Sequence, residues 1–205
     1  IIGAGILGAS TAYHLAKAGA NVTIIDRGEP GQASDAAAGI ICPWLSQRRD
    51  KAWYELAKSG AAYYETLVQQ LENDGETETG YRKFGAISLH TDSEKLNKME
   101  GRVIARRKDA NEIGDVRKLT SEETSALFPP LSNEFASVHI SGAARVNGRE
   151  LVNALLNSAK KYGAIIVNGS AKLTHSNNEI TGVSVVDVQY SAAKVLITEG
   201  SWAGE

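Results

Sequence analysis

The chain has 205 residues, enough for one large domain or one and a half small ones around a sizeable core. Its net charge is -2, with 42 % hydrophobic and 22 % charged residues, so no basic patch argues for nucleic acid and no polybasic run for an anionic membrane surface. No stretch approaches the roughly 20 apolar residues of a membrane span. A lone cysteine, Cys42, excludes an internal disulfide framework or a multi-cysteine metal centre and fits a reducing cytoplasm.

The chain opens on "IIGAG", the end of a strand, without the basic start and apolar run of a secretion signal. Ala9 to Lys17 carries helical periodicity, with Ala12, Leu15 and Ala16 on one face. Gly19 suits the helix C-cap, and "NVTIID", ending at Asp26, is a short strand of β-branched residues. This is a βαβ unit. Residues 28 to 46 are rich in Gly, Ala and Pro and read as a long loop with one short helix at most; loops of that length are functional or disordered. Residues 50 to 72 form one long amphipathic helix or two shorter ones.

From Tyr81 the period changes. "YRKFGAISLHT" alternates like a strand, and "SEKLNKMEGRVIARRKDANEIG" reads as a charged, exposed helix. A short helix follows, capped by Thr120 or Ser121, with Glu123 at the capping-box position and Pro129 and Pro130 as its stop. "ASVHISG" is a strand, and Asn147 to Tyr162 is amphipathic and helical. "GAIIVNG", "EITGVSVVDVQY" and "KVLITEG" are strands.

The turn "GAGILG" fits G-x-G-x-x-G at Gly3, Gly5 and Gly8. Gly3 permits the tight turn, Gly5 lets the backbone approach a pyrophosphate, and Gly8 lets the helix pack closely. The helix N-terminus, at Ile6 and Leu7, offers free N–H groups and a positive dipole end to phosphates. Asp26 follows Gly8 by 18 residues, the place for an acid that hydrogen-bonds a ribose hydroxyl and repels the 2′-phosphate of NADP. Arg27 follows it directly. The turn alone does not separate FAD from NAD.

These residues, followed by "GQASDAAAGIICP", resemble the FAD-dependent D-amino-acid-oxidase-like superfamily, most closely its glycine oxidase, sarcosine oxidase and D-amino-acid dehydrogenase branch. The resemblance implies that Ala33, Ser34, Ala36, Ala37, Ala38, Gly39 and Ile40 pass under the flavin, where small residues let backbone amides come close. It implies that Lys172 holds the adenine through backbone groups, and that Thr198, Glu199, Gly200 and Trp202 form a second flavin segment. Two residues depart from the family pattern. Glu199 stands where a small residue is usual, and a carboxylate there is costly if buried and unpaired. Gly148 stands where a proline is usual, a change expected to matter little.

Several other residues attract a chemical reading. His14 reads as an ordinary helix residue and Cys42 as a small buried hydrophobe. Trp44, Tyr63 and Tyr64 read as core. "GRVIARRKDANE" reads as a solvated helix face, while Arg48 and Arg49 could attract a carboxylate.

The expected fold is α/β. A Rossmann-like FAD-binding domain with a mostly parallel sheet is expected from residues 1–75 and 145–205. Residues 76–144 are expected to form part of an inserted α+β substrate domain on an antiparallel sheet. Members of the family are about twice this length, so the chain reads as an N-terminal fragment. The resemblance implies oxidation of an amine or amino acid, with FAD as the cofactor, no metal, and no catalytic residue in this half. The partner is then a small-molecule amine or amino acid, with homo-oligomerisation left open. A 2-hydroxy-acid or glycerol-3-phosphate-type dehydrogenase and a non-catalytic nucleotide-binding fragment are the alternatives.

Overall fold

The computed structural model describes residues 1–204. The chain forms two compact units, one of residues 1–38, 70–80 and 147–205, the other of 39–69 and 81–146. The sequence-based division placed residues 39–69 in the FAD-binding domain, whereas they pack with the second unit.

In the first unit the N-terminal segment is a central strand. The Ile2 amide donates to the Leu196 carbonyl at 2.8 Å, and the Gly3 amide donates to the Ile25 carbonyl at 2.8 Å. Strand β1, Thr23–Asp26, flanks it on one side and the segment around Ile197 on the other, both parallel. Helices α1 (Ile6–Lys17) and α6 (Gly148–Lys161) pack together. Strand β8, Ile165–Asn168, extends the sheet in parallel, with Thr23 opposite Ile165 and Asp26 opposite Asn168. Ile2, Ile25, Val183 and Val185 form one core cluster. Strand alternation directs Ile24 to the opposite face, where it is fully buried. The Asn147 side chain caps α6 by accepting from the Arg149 and Glu150 amides.

After β8 the chain departs from the sequence reading. It builds an antiparallel sheet of β9 (Ala171–Ser176), β10 (Glu179–Val185) and β11 (Val188–Ser191), with β10 in the middle. The single strand expected over 179–190 is two strands, folded back at Val186 and Asp187. Val186 takes φ 54° and is 89 % exposed, so a β-branched residue occupies a left-handed turn position that no Gly or Asn announces. The expected strand at 194–200 reduces to one bridge, Ile2 to Ile197.

The second unit contains the sheet β4–β6–β5, of Ala86–His90, Ala136–Ile140 and Val116–Leu119, antiparallel throughout. The strand expected over 81–91 is broken at Phe84 and Gly85. Gly85 takes φ 77°, separating β3 (Arg82–Lys83) from β4. Helix α4, Ser93–Arg107, ends before the expected Gly114 and is capped by Asp92. Its Leu96, Met99 and Val103 bury against Val138 and Ile140, with Trp44 in the same cluster. Helix α5, Ser121–Leu127, carries the capping box: Glu123 accepts from the Thr120 amide and Thr120 from the Glu123 amide. Helix α3 runs Lys51–Asn73 without a break.

Candidate nucleotide site

The three glycines of the first turn are glycines for different reasons. Gly3 takes φ 95°, and a Cβ there would stand 2.6 Å from the Thr198 carbonyl oxygen. A Cβ on Gly8 would overlap the Gly3 carbonyl and lie 2.6 Å from the Thr198 hydroxyl oxygen, so α1 rests directly on the turn it leaves. Gly5 differs. Its φ is -64°, a value open to any residue. The nearest atom to an added Cβ is Ser34 Oγ at 3.5 Å, an ordinary contact. Neither backbone conformation nor packing therefore requires glycine at position 5. What remains is the open space beside it, which suits the close approach of a pyrophosphate to the backbone.

Neighbouring side chains fix the turn. The Thr198 hydroxyl lies 2.8 Å from the carbonyls of both Ile2 and Gly3, and the Thr198 amide donates to Ile2 at 2.7 Å. Asp26 receives the Ala4 amide on Oδ2 and the Gly28 amide on Oδ1, both at 2.7 Å, and the Gln32 side chain at 3.3 Å. At the start of α1, Ile6 donates to Ser34 Oγ at 2.9 Å. Gly5 has no side chain to cap the helix and its first turn holds no acid, so its positive end is not offset locally.

Around this turn lies a cleft of about 380 Å³, within the range of small-molecule sites. Gly3, Gly5, Ile6 and Leu7 form its floor, and Asp26 and Arg27 line it at the end of β1. Ala33 and Ser34 enter from α2, Ala33–Ala36. Thr198, Glu199, Gly200 and Trp202 complete the wall. Arg27 stands over the Trp202 ring at 5.6 Å and pairs with Glu29 at 3.3 Å. Glu199 is half-buried on the wall of the cleft.

Other expected residues fall outside the cleft wall. Gly8 lies beneath the turn. Ala37 and Ala38 follow α2 without lining the cleft. Gly39 and Ile40 belong to the second unit, where the Gly39 carbonyl accepts from Val146 and Ile40 opens β2 (Ile40–Ile41), opposite Arg145 of β7 (Ala144–Arg145). Lys172 sits in β9 opposite Ser184, one residue beyond the wall. Sequence reasoning passed over Gly169, Ser170 and Ala171, which do line it. They follow the carboxyl end of β8, where open parallel sheets place their ligands, and that rule would have found them.

Gly148 is more than a neutral replacement. A Cβ there would overlap the Ser34 carbonyl, so the absence of a side chain lets the start of α6 approach α2. Among the remaining candidates, His14 lies on α1 away from the cleft, its pKa lowered by partial burial and by Lys17. Cys42 packs against the core of the second unit, and burial raises its thiol pKa.

A model for the family DAO, "FAD dependent oxidoreductase", matches residues 1–205. The "Uncharacterized oxidoreductase YurR" of Bacillus subtilis (strain 168) is 60 % identical over 205 residues, which is 100 % of this chain and 55 % of that protein. Among solved structures, the iminodiacetate oxidase of Chelativorans sp. BNC1 superposes with a TM-score of 0.92 at 44 % identity, over 99 % of this chain and 55 % of that one. The glycine oxidase of Bacillus cereus ATCC 14579 gives 0.80 at 27 % identity, over 98 % and 56 %. The chain thus spans about half the length of the relatives it matches. It belongs to the DAO family of FAD-dependent oxidoreductases.

Proposed function

We propose that the first unit binds FAD and that the whole protein oxidises the CH–NH bond of a small amine or amino acid. Gly5 carries this reading: a glycine demanded by neither conformation nor packing, at the open mouth of a helix N-terminus. The turn Gly3–Gly8 receives the pyrophosphate on the α1 amides. Asp26 Oδ1 accepts from both Gly28 and Gln32, while Oδ2 accepts from Ala4 alone and keeps a lone pair for a ribose hydroxyl. Arg27 and Trp202 flank the nucleotide, and Ala33, Ser34, Ala37 and Ala38 run along the flavin with small side chains. Thr198, Glu199 and Gly200 form the opposite edge, and Lys172 acts through its backbone beside the adenine. When bound, the flavin would supply the two-electron oxidation chemistry. The chain's own residues bind and orient it.

The relatives support the substrate class. Iminodiacetate oxidase and glycine oxidase are both named for small amino acids, and both superpose on nearly the whole chain. The second unit, with its antiparallel sheet β4–β6–β5, supplies the first part of the substrate domain. Among the described residues no helix is long and apolar enough to cross a membrane. With the single Cys42, this suits a cytoplasmic enzyme.

The test is turnover by the full-length FAD-loaded protein on glycine, sarcosine and iminodiacetate, beside lactate and glycerol 3-phosphate. Oxidation of the amines, with release of ammonia or the free amine, is expected. Turnover of lactate or glycerol 3-phosphate alone would replace the amine reading with a hydroxy-substrate dehydrogenase. No turnover at all would leave a nucleotide-binding protein.

A further inference from the structure

Two sequence stretches, one read as a solvated helix face and the other, at Arg48 and Arg49, as able to attract a carboxylate, come together in the second unit. Residues 47–51 precede and open α3, and Arg102 and Arg106 lie on α4. Between them is an open cleft of about 590 Å³, lined by Arg48, Arg49, Lys51, Tyr54, Arg102 and Arg106. Its lining also holds two acids, Asp50 and Glu55. They offset only part of its charge, two acids against five cations. Asp50 accepts the Trp53 amide at 3.0 Å, and Glu55 pairs at 2.7 Å with Lys58, which also bonds Asp109 at 3.1 Å.

The cations are arranged as a site rather than a loose surface. Arg106 is held in place: its Nη1 donates to the carbonyls of Trp44 at 2.6 Å and Ser46 at 2.9 Å, and its guanidinium lies 4.3 Å from the centre of the Tyr54 ring. Arg48 stacks on Trp53 at 4.9 Å. Arg49, Lys51 and Arg102 form no ion pair with any described residue. The Tyr54 hydroxyl oxygen is buried and has no hydrogen-bond partner among the described residues, although a buried polar group of this kind is ordinarily satisfied. A multivalent oxyanion answers both features. It neutralises the unpaired cations, and an oxygen accepts the Tyr54 hydroxyl proton.

We propose that this cleft binds a compact oxyanion of charge -2 or more, a dicarboxylate or a phosphate, recognised by Arg49, Lys51 and Arg102 with Tyr54 as an additional donor. Arg48, stacked on Trp53, and Arg106, bonded to backbone carbonyls, also line it. Guanidinium groups suit either ligand because their planar donors match the oxygens of carboxylate and phosphate alike. The proposal is independent of the nucleotide site, which lies in the other unit, and FAD retention can fail or succeed without affecting it.

The test is isothermal titration of the full chain at low ionic strength with succinate, citrate, inorganic phosphate and acetate. Succinate or citrate binding above phosphate identifies a carboxylate ligand, and the reverse identifies a phosphate. Acetate, with one charge, is expected to bind at least about tenfold more weakly than the preferred anion, because fewer charge-assisted bonds form. The double variant R49Q/R102Q is expected to weaken binding at least about tenfold for the same reason, with an unchanged circular dichroism spectrum. Tyr54→Phe keeps the ring under Arg106 and removes only the hydroxyl; about a threefold or larger loss is expected for one hydrogen bond, with no fall in melting temperature. No binding of any multivalent anion overturns the proposal. So does acetate binding as tightly as succinate and phosphate, or full affinity in the folded double variant.

Discussion

The Asp26 carboxylate reaches across the sheet to the Ala4 amide at 2.7 Å, so the acid at the end of β1 holds the glycine turn as well as facing the cleft. Its other oxygen takes the Gly28 amide at 2.7 Å. Asp26→Ala removes both acceptors together with the proposed ribose contact. Bonds to charged groups are worth about 1.5–3 kcal/mol, so FAD affinity is expected to fall at least about tenfold. The melting temperature falls as well. Asp26→Asn retains one oxygen and is expected to lie between the two. Fluorescence titration with FAD and thermal melts read both effects.

Gly5→Ala and Gly8→Ala separate site from fold. An alanine at position 5 meets only Ser34 Oγ at 3.5 Å, so the chain is expected to fold with a near-normal melting temperature and lose FAD. An alanine at position 8 overlaps the Gly3 carbonyl. Overpacking of this kind costs about 1–3 kcal/mol, so this variant is expected to melt early whether or not FAD is added. Equal thermal loss in the two would contradict the assignment of Gly5 to the ligand.

Gly148→Ala is expected to destabilise the first unit by a similar amount, about 1–3 kcal/mol, because its Cβ meets the Ser34 carbonyl. Denaturant unfolding measures it. A neutral result would mean that α2 moves aside freely.

Acid is expected to loosen the first unit through Asp74 and Glu76. Burial raises the Asp74 pKa, but the Tyr162 and Tyr13 hydroxyls, at 2.6 and 2.9 Å, and Lys17 outweigh it and hold the carboxyl below its ordinary value. Glu76 is held low first by Lys161, at 2.8 Å, against the opposing effect of burial, with Asn157 also donating. A carboxyl whose folded pKa is depressed binds protons more readily in the unfolded chain. Its contribution is therefore complete above the unfolded value, about 4, and is lost as pH falls through the folded value. Melting temperature is expected to drop steeply below about pH 4. Asp74→Asn is expected to lower stability at pH 7 and flatten that acid limb.

Cys42 is expected to react slowly with a thiol reagent at neutral pH, because burial raises its pKa and leaves little thiolate. Reaction as fast as that of a free thiol would contradict its packing against the core of the second unit.

The site was legible where local chemistry is obligatory. A glycine turn, a helix and an acid 18 residues on have few other meanings, and the family resemblance carried by the small-residue segment from Ala33 pointed to a flavin. The capping box at Thr120 and Glu123 was legible for the same reason. What failed to show were features set by distant packing. Val186, beside Asp187, holds a positive φ that its own residue type disfavours because β10 and β11 pair on either side of it. Gly169 to Ala171 join the cleft because β8 pairs in parallel with β1, and only with that pairing in hand does the rule of ligands at the carboxyl ends of strands point to them. The cation cleft of the second unit needed residues about fifty positions apart to converge, and the stretch on α4 alone looked like solvated surface.

The most direct test of the central claim is an absorbance spectrum of the chain after incubation with FAD and desalting, beside Gly5→Ala and a sample given NAD. Bound oxidised flavin, with bands near ~450 and ~370 nm, is expected in the parent chain and not in Gly5→Ala. A parent chain that is folded by circular dichroism yet colourless after desalting would contradict the assignment of this cleft to FAD.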